Sequence, residues 1–203
     1  MLVLASASPR RKELLTQAGF KFQVVPSSIA EVRRAEEDAA SFAVRLAREK
    51  AQSVFDQIVS SRVPDQLLVL GADTIVVTPE EILGKPHGAA DAARMLRLLS
   101  GRTHLVMTGV CLVSDHATEV AVETTAVAFQ TLSEDDIARY IATGEPMDKA
   151  GGYAIQGYAA RWIPHIRGCY FNVVGLPIAL VSNMIEGENR RTAALVATVA
   201  EAD

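Results

Sequence analysis

Two long runs of strand-forming residues constrain the fold of this chain most. Thr103 to Val113 and Glu119 to Phe129 are rich in valine and threonine, which favour extended backbone, and the polar segment Ser114 to Thr118 lies between them. Two such runs joined by a short polar turn predict an antiparallel hairpin. We therefore expect a sheet built on this hairpin.

Helical patterns alternate with strand patterns along the rest of the chain. Helices are predicted near Asp38 to Ile58, Ala89 to Leu99 and Leu176 to Ile185, and Ser133 with Asp136 predicts a capped short helix. This alternation is typical of an α/β fold, in which helices cover a sheet.

Shorter apolar runs predict the remaining strands. The run Leu67 to Leu70 is expected to end at Gly71 to Thr74 and to resume at Ile75. The other predicted strands are residues 1–5, Lys21 to Val25, and a closing pair at Trp162 to Ile166 and Cys169 to Val174. We expect a loop from Ser60 to Gln66, a single domain over residues 1–186, and a frayed tail over 187–203.

Composition narrows the classes of function. The chain has 203 residues and a net charge of −4, without a long run of lysine and arginine, so we expect no nucleic-acid partner. Every apolar stretch is shorter than the roughly 18 residues of a membrane span, and the first residues lack the basic start of a signal peptide. Cys111 and Cys169 have no spacing typical of zinc ligands, which favours two reduced thiols and a cytoplasmic protein.

A predicted helix near the start of the chain carries two arginines in its first turn. Ser8 is a good N-cap and Pro9 a good first residue, so Arg10 and Arg11 fall where the helix dipole is already positive. This placement is favourable if an anion such as a phosphate chain docks there. The alternative, that both side chains point into water, stays open at this point.

Two acidic residues are candidates for chemistry. Asp73 follows an apolar run and a glycine, and Glu31 lies in a polar loop. Two carboxylates with phosphate oxygens and water are a ligand set that Mg²⁺ accepts. Each residue taken alone is equally compatible with an ordinary turn or surface charge.

Several cations accompany these acids. Lys85 lies between a glycine and a proline, Lys50 lies in the long predicted helix, and Lys149 follows Asp148. The four histidines lack the spacing of a metal site, and the patterns of serine hydrolases, zinc hydrolases and P-loop proteins are missing from the sequence.

A set of motifs in fixed order resembles the Maf family of nucleoside triphosphate pyrophosphatases, from about Leu2 to Pro177. The motifs are L-A-S-A-S-P-R-R-K-E-L-L, R-L-A-R-E-K-A, L-G-A-D-T, L-G-K-P, L-S-G-R-T-H, D-K-A-G-G-Y-A-I-Q-G and V-V-G-L-P. The form G-Y-A-I-Q-G resembles the branch that acts on dTTP and UTP. The resemblance implies a mixed, twisted sheet flanked by helices, two lobes around a central cleft as in inosine triphosphatases, and a homodimer.

The resemblance also implies roles for individual residues. Asp73 would be the proton acceptor and, with Glu31, a ligand of Mg²⁺ or Mn²⁺. The positions that match the family's specificity residues are Arg10, Thr74 and Gln156, and those that would contact the triphosphate are Ser6, Arg11, Lys50 and Lys85. Ala30 replaces an acidic residue that often precedes the loop glutamate, which leaves the full metal ligand set open.

The function implied is hydrolysis of dTTP and UTP, and of modified pyrimidine nucleotides, to the monophosphate and pyrophosphate. Gln156 carries both donors and an acceptor, as the imide edge of thymine or uracil requires. Two alternatives stay open: a non-catalytic nucleotide-binding regulator of septum formation, and a pyrophosphatase for inosine- or xanthosine-type purine triphosphates.

Overall fold

The computed structural model describes residues 1–61 and 66–200, and the side chains of residues 1–60 and 66–194. Its strands are β1 (Leu2–Leu4), β2 (Gln23–Val24), β3 (Leu68–Val77), β4 (Ile82–Leu83), β5 (Thr103–Ser114), β6 (Thr118–Ala128) and β7 (His165–Arg167). They form one seven-stranded sheet in the order β2-β1-β3-β5-β6-β7, with β4 paired to β3.

The sheet is mixed, as predicted. Strand β1 is parallel to both β2 and β3, whereas β3, β5, β6 and β7 pair antiparallel. The predicted hairpin is confirmed, because β5 and β6 pair from Thr103 with Ala128 to Val113 with Thr118.

Six α-helices cover this sheet in the described part of the chain. They are α1 (Pro9–Gln17), α2 (Ala39–Ser61), α3 (Ala89–Leu99), α4 (Glu134–Ala142), α5 (Tyr170–Val174) and α6 (Ile178–Ala200). The Ser133 hydroxyl accepts a hydrogen bond from the Asp136 backbone N–H, and the Asp136 carboxylate accepts one from the Ser133 backbone N–H, so the predicted capping box of α4 is confirmed. None of the helices in the described residues has the length and apolar character needed to cross a membrane.

Helix α6 continues past Gly187, where we expected the tail to begin. The side chain of Glu188 is buried and accepts a hydrogen bond from the Ser114 hydroxyl at 2.6 Å. This contact attaches the helix to the end of β5 beyond the predicted boundary. Residues 62–65 of the predicted loop and residues 201–203 of the predicted tail lie outside the described residues.

The predicted interruption of the strand at Gly71 to Thr74 is wrong, because β3 continues through it. A Cβ atom at Gly71 would lie 2.1 Å from the backbone oxygen of Ala47, and one at Gly109 would lie 2.3 Å from that of Ala43. Both glycines therefore allow α2 to pack directly on β3 and β5. Asp73 consequently lies in the middle of a strand.

The predicted closing strand pair is also wrong. The first segment gives the short strand β7, and the second gives helix α5. The buried side chain of Asn172 in α5 donates to the Val106 carbonyl and to the Thr125 hydroxyl, both at 3.0 Å. These bonds to the sheet hold the segment as a helix, although its β-branched residues favour a strand.

Four apolar clusters form the core of the described residues, and the two largest both contribute side chains to the walls of one cleft. One packs α3 and α4 around Leu96, Tyr140 and Trp162, and the other packs β1, α1 and α6 around Leu4 and Leu15. Strands β3 and β5 contribute residues to both cores. This cleft has a volume of about 1150 Å³, which agrees with the expected two-lobed form.

Candidate active site

The candidate site lies at a gap in the pairing of β3. One side of this strand pairs with β5 from Leu68 to Val77. The other side pairs with β1 at residues 68–70 and with β4 at residues 76–77. Within the described chain, no strand pairs with residues 71–75 on that side, so this stretch of β3 opens into the cleft.

An acid and lysine cluster lies beside the gap. The Lys50 ammonium, on α2, lies 2.6 Å from Asp73 Oδ1 and 2.6 Å from Glu31 Oε1. Lys85 follows β4 in the chain, and its ammonium lies 3.3 Å from Glu31 Oε2. The close packing of α2 on β3 at Gly71 brings Lys50 to Asp73, two residues further along the strand.

The two carboxylates differ in basicity because their surroundings differ. Burial raises the pKa of Asp73, although the charges of Lys50 and Arg11 oppose this shift. Burial also acts to raise the pKa of Glu31, but hydrogen bonds and charge from Lys50 and Lys85 outweigh it, and the pKa is lowered. Asp73 is therefore the carboxylate better suited to accept a proton.

Arg11 is buried and donates three hydrogen bonds inside the protein. Its Nε lies 2.9 Å from the Gly175 carbonyl, and its terminal nitrogens lie 3.1 Å from the Ser6 hydroxyl and 3.1 Å from the Thr74 hydroxyl. Burial lowers the pKa of Arg11, against the favourable charges of Asp73 and Glu31. These bonds account for an arginine at the start of α1 without a docked anion.

Arg10 differs from its neighbour. It is partly exposed, and it makes no hydrogen bond or ion pair with any other described residue. Like the exposed side chain of Gln156, it lines the cleft. Its charge is thus available to a ligand. Ser8 precedes α1 as predicted, but its side chain makes no capping hydrogen bond.

The structure brings every sequence-predicted site residue to this one cleft. The residues are Ser6, Arg10, Arg11, Glu31, Lys50, Asp73, Thr74, Lys85 and Gln156. Lys149 also lines the cleft, where its ammonium bonds to Asp148 and to the backbone oxygen of Glu145.

Two further residues contribute to the site and were not among the predicted site residues. Gly175 supplies the carbonyl that Arg11 binds, and Thr108 contacts the Thr74 hydroxyl from β5 at 2.9 Å. The V-V-G-L-P motif was one signal for Gly175. Thr108 becomes identifiable only once the register that pairs Thr74 with it is known.

Asp73 and Glu31 are the candidate ligands of a divalent cation. The described residues contain no group of three or more histidine, cysteine, aspartate or glutamate side chains that could hold a metal. Asp73 and Glu31 nevertheless each place an oxygen 2.6 Å from one atom, Lys50 Nζ. Two such oxygens, completed by phosphate oxygens and water, satisfy the octahedral preference of Mg²⁺. The residues present therefore fit a cation that binds together with its substrate.

A buried aspartate and an exposed glutamate among basic side chains, in a cleft of a mixed α/β fold, define a class of proteins suited to binding phosphorylated small molecules. The chain belongs to the Maf family, since the model of Maf-like proteins matches residues 1–188.

Relatives of this family resemble the chain over most of its length. A protein of Koribacter versatilis named dTTP/UTP pyrophosphatase is 53% identical over 91% of this chain and 92% of its own. A Salmonella typhimurium protein of the same name is 55% identical over 87% of each chain. One from Bdellovibrio bacteriovorus, also of that name, is 48% identical over 91% of this chain and 96% of its own.

Proposed function

We propose that this protein hydrolyses dTTP and UTP, and modified pyrimidine nucleoside triphosphates, to the nucleoside monophosphate and pyrophosphate. The observation that carries the proposal is the buried carboxylate of Asp73, which the Lys50 ammonium links to Glu31 in a cleft with further cations. Relatives about half identical to this chain carry the name dTTP/UTP pyrophosphatase, which supports the same activity here.

The first requirement of this reaction is charge neutralisation. A nucleoside triphosphate is stable in water because its negative oxygens repel a nucleophile. Lys85 and Arg10 line the cleft with exposed or partly exposed cationic groups, and Lys50 lies deeper beside Asp73. We assign Lys85, Lys50 and Arg11 to the phosphate chain, with the Ser6 turn beneath it.

The second requirement is a base that activates water. In this mechanism Asp73 accepts a proton from a water molecule whose oxygen attacks the α-phosphorus. The new P–O bond forms as the bond from the α-phosphorus to the bridging oxygen breaks, and pyrophosphate leaves with the electron pair. Because burial raises the pKa of Asp73, this carboxylate is a stronger base than an exposed aspartate.

Asp73 and Glu31 would also hold Mg²⁺ or Mn²⁺. When bound, such a cation supplies charge neutralisation on phosphate oxygens. The protein's own contribution is to hold the two carboxylates close together. Lys50 forms an ion pair with both carboxylates, and Lys85 forms a second ion pair with Glu31.

We assign selection of the base to Arg10, Thr74 and Gln156. All three line the cleft, and the Gln156 amide carries the donors and acceptor that match an imide edge. Methylated pyrimidines keep this edge, so the same site accepts modified nucleotides. We further propose a cytoplasmic homodimer, on the family resemblance, and sedimentation of the purified protein tests the dimer.

A panel of nucleotides tests the proposal. Pyrophosphate release is measured for dTTP, UTP, dCTP, CTP, GTP, ITP and XTP, each with Mg²⁺ and with Mn²⁺. The expected result is preferred hydrolysis of dTTP and UTP that requires the metal. Preference for ITP or XTP would identify a purine enzyme instead, and binding without hydrolysis of any nucleotide would identify a regulator.

A further inference from the structure

A chain of hydrogen bonds connects the cleft to helix α5 through two threonines. The Thr74 hydroxyl on β3 lies 2.9 Å from the Thr108 hydroxyl on β5, in directly paired positions of the two strands. The Thr108 hydroxyl lies 3.2 Å from the backbone oxygen of Asn172. Thr108 has no exposed surface, so its hydroxyl has to find its partners inside the protein.

The chemistry of these partners favours one direction for each bond. A backbone carbonyl only accepts, so Thr108 donates its one hydroxyl hydrogen to Asn172. Thr108 then accepts a hydrogen bond from Thr74. The competing acceptor for the Thr74 hydrogen is the Gly175 carbonyl, which is 3.4 Å away. Both carbonyls already accept one bond, Gly175 from Arg11 Nε at 2.9 Å and Asn172 from the Gly175 N–H at 3.0 Å. The arrangement with the shorter bonds is favoured.

The Thr74 oxygen consequently faces the cleft as an acceptor. Its hydrogen is directed at Thr108, and one of its two lone pairs receives the Arg11 guanidinium at 3.1 Å. The second lone pair remains, and Thr74 lines the cleft. A ligand group that binds there must be a hydrogen-bond donor.

We propose that Thr108 is a positioning residue for substrate selection, because it holds the Thr74 hydroxyl as an acceptor toward the imide N–H of thymine or uracil. This inference rests on the proposed function. Among the groups of the substrate, phosphate oxygens only accept, so a donor to Thr74 belongs to the nucleoside. Thymine and uracil carry an N–H at the ring nitrogen where cytosine has an acceptor, so a fixed acceptor in the site discriminates against cytosine.

The test compares two variants of Thr108 with a matched control. Thr108→Val keeps the shape of the side chain and removes the hydroxyl, and Thr108→Ser restores the hydroxyl. Thr125→Val is the control, because Thr125 is equally buried and bonds to Cys169 and Asn172, and the structure shows no bond from it to Thr74. The measured quantity is kcat/KM for UTP, dUTP and CTP at fixed Mg²⁺.

The ratio of kcat/KM for UTP to that for CTP is expected to fall roughly tenfold in Thr108→Val, because the Thr74 hydrogen is then free to turn toward the cleft. In Thr108→Ser, this ratio should be within about twofold of the wild-type ratio. In Thr125→Val, the ratio should also be within about twofold of the wild-type ratio, even if the variant is less stable. A ratio unchanged in Thr108→Val, or lowered equally in Thr125→Val, overturns the inference.

Two further outcomes separate a failure of this inference from a failure of the proposed function. A selective loss of UTP against dUTP, with the ratio to CTP unchanged, would assign the donor to the ribose hydroxyl and overturn the assignment to the base. A wild-type protein that releases no pyrophosphate from UTP would overturn the proposed function itself, together with this inference.

Discussion

The Lys50 ammonium lies 2.6 Å from a carboxylate oxygen of Asp73, and both side chains are buried. The two residues come from different elements, α2 and β3, and they meet because Gly71 lets the helix backbone contact the strand. A buried charge pair of this kind is sensitive to loss of either partner, since the other charge is then left without compensation. The geometry of the site therefore depends on how α2 packs on β3.

Replacement of Gly71 should damage both stability and catalysis. The new methyl group of Gly71→Ala would lie 2.1 Å from the Ala47 backbone oxygen, so α2 has to move away from β3. We expect a loss of about 2 kcal/mol in the free energy of unfolding, together with a lower kcat as Lys50 separates from Asp73. Urea denaturation and steady-state kinetics measure the two effects. Gly187→Ala, at a position with nothing within 4 Å, is the control. Equal stability of the two variants would contradict the role of Gly71.

Replacement of Asp73 should separate binding from turnover. Asp73→Asn keeps the size of the side chain and removes the proton acceptor, so kcat is expected to fall by about 10³-fold. Binding of UTP, measured by calorimetry, should stay within about fivefold of wild type, because the lysines and Arg10 remain. Asp148→Asn serves as control, since Asp148 also lines the cleft and pairs with Lys149. Turnover retained in Asp73→Asn would refute the assigned base.

Removal of Lys50 should change how the site binds a divalent cation. Its ammonium occupies the point at which the Asp73 and Glu31 oxygens converge, so it competes with a cation for them. Lys50→Met should bind Mn²⁺ in the absence of nucleotide roughly tenfold more tightly than wild type, while turnover falls. Mn²⁺ titration followed by electron paramagnetic resonance measures the affinity, with Lys149→Met as control. Unchanged or weaker Mn²⁺ binding would contradict the claim that the Lys50 ammonium and the cation compete for the same carboxylate oxygens.

Protonation of His104 should destabilise the fold in mild acid. Burial lowers the pKa of His104 from 6.5 to about 4. Between these values the unfolded chain binds a proton that the folded protein does not, so stability present above pH 6.5 is lost as the pH falls toward 4, by about 3 kcal/mol. Urea unfolding at a series of pH values measures this loss. His104→Phe should flatten the dependence of the free energy of unfolding on pH between pH 4 and 6.5. His116→Gln, at an exposed histidine, should leave this dependence unchanged. Equal slopes in the two variants would contradict the assignment to His104.

This acid sensitivity bears on the cleft, because His104 holds one of its walls. The His104 Nε2 lies 2.7 Å from the Tyr153 hydroxyl, and Tyr153 lines the cleft beside the glycine-rich segment. His104 and Tyr153 also pack edge to face with Phe129. A charged imidazole at this place would disturb the wall that faces the substrate.

The features that sequence reasoning predicted correctly are those with local causes. Helix α3 and the β5–β6 hairpin follow from periodicity and turn residues within one segment. The capping box of Ser133 and Asp136 likewise depends on residues three apart. Local patterns of this kind are visible in the printed sequence.

The features that it missed depend on contacts between distant residues. Gly71 was interpreted as the end of an apolar run, but it lies inside β3 and allows the close contact with α2. The segment of α5 has strand-forming residues, yet Asn172 binds the sheet across 66 positions of sequence. Arg11 was interpreted through the helix dipole, whereas its partner Gly175 lies 164 positions away. The order of the family motifs identified the site residues, but not the contacts among them.

Hydrolysis of UTP in water enriched in oxygen-18 tests the central claim most directly. If Asp73 activates water for attack at the α-phosphorus, mass spectrometry of the products should find one labelled oxygen in UMP and none in pyrophosphate. Label in pyrophosphate, or release of orthophosphate in place of pyrophosphate, would contradict the mechanism.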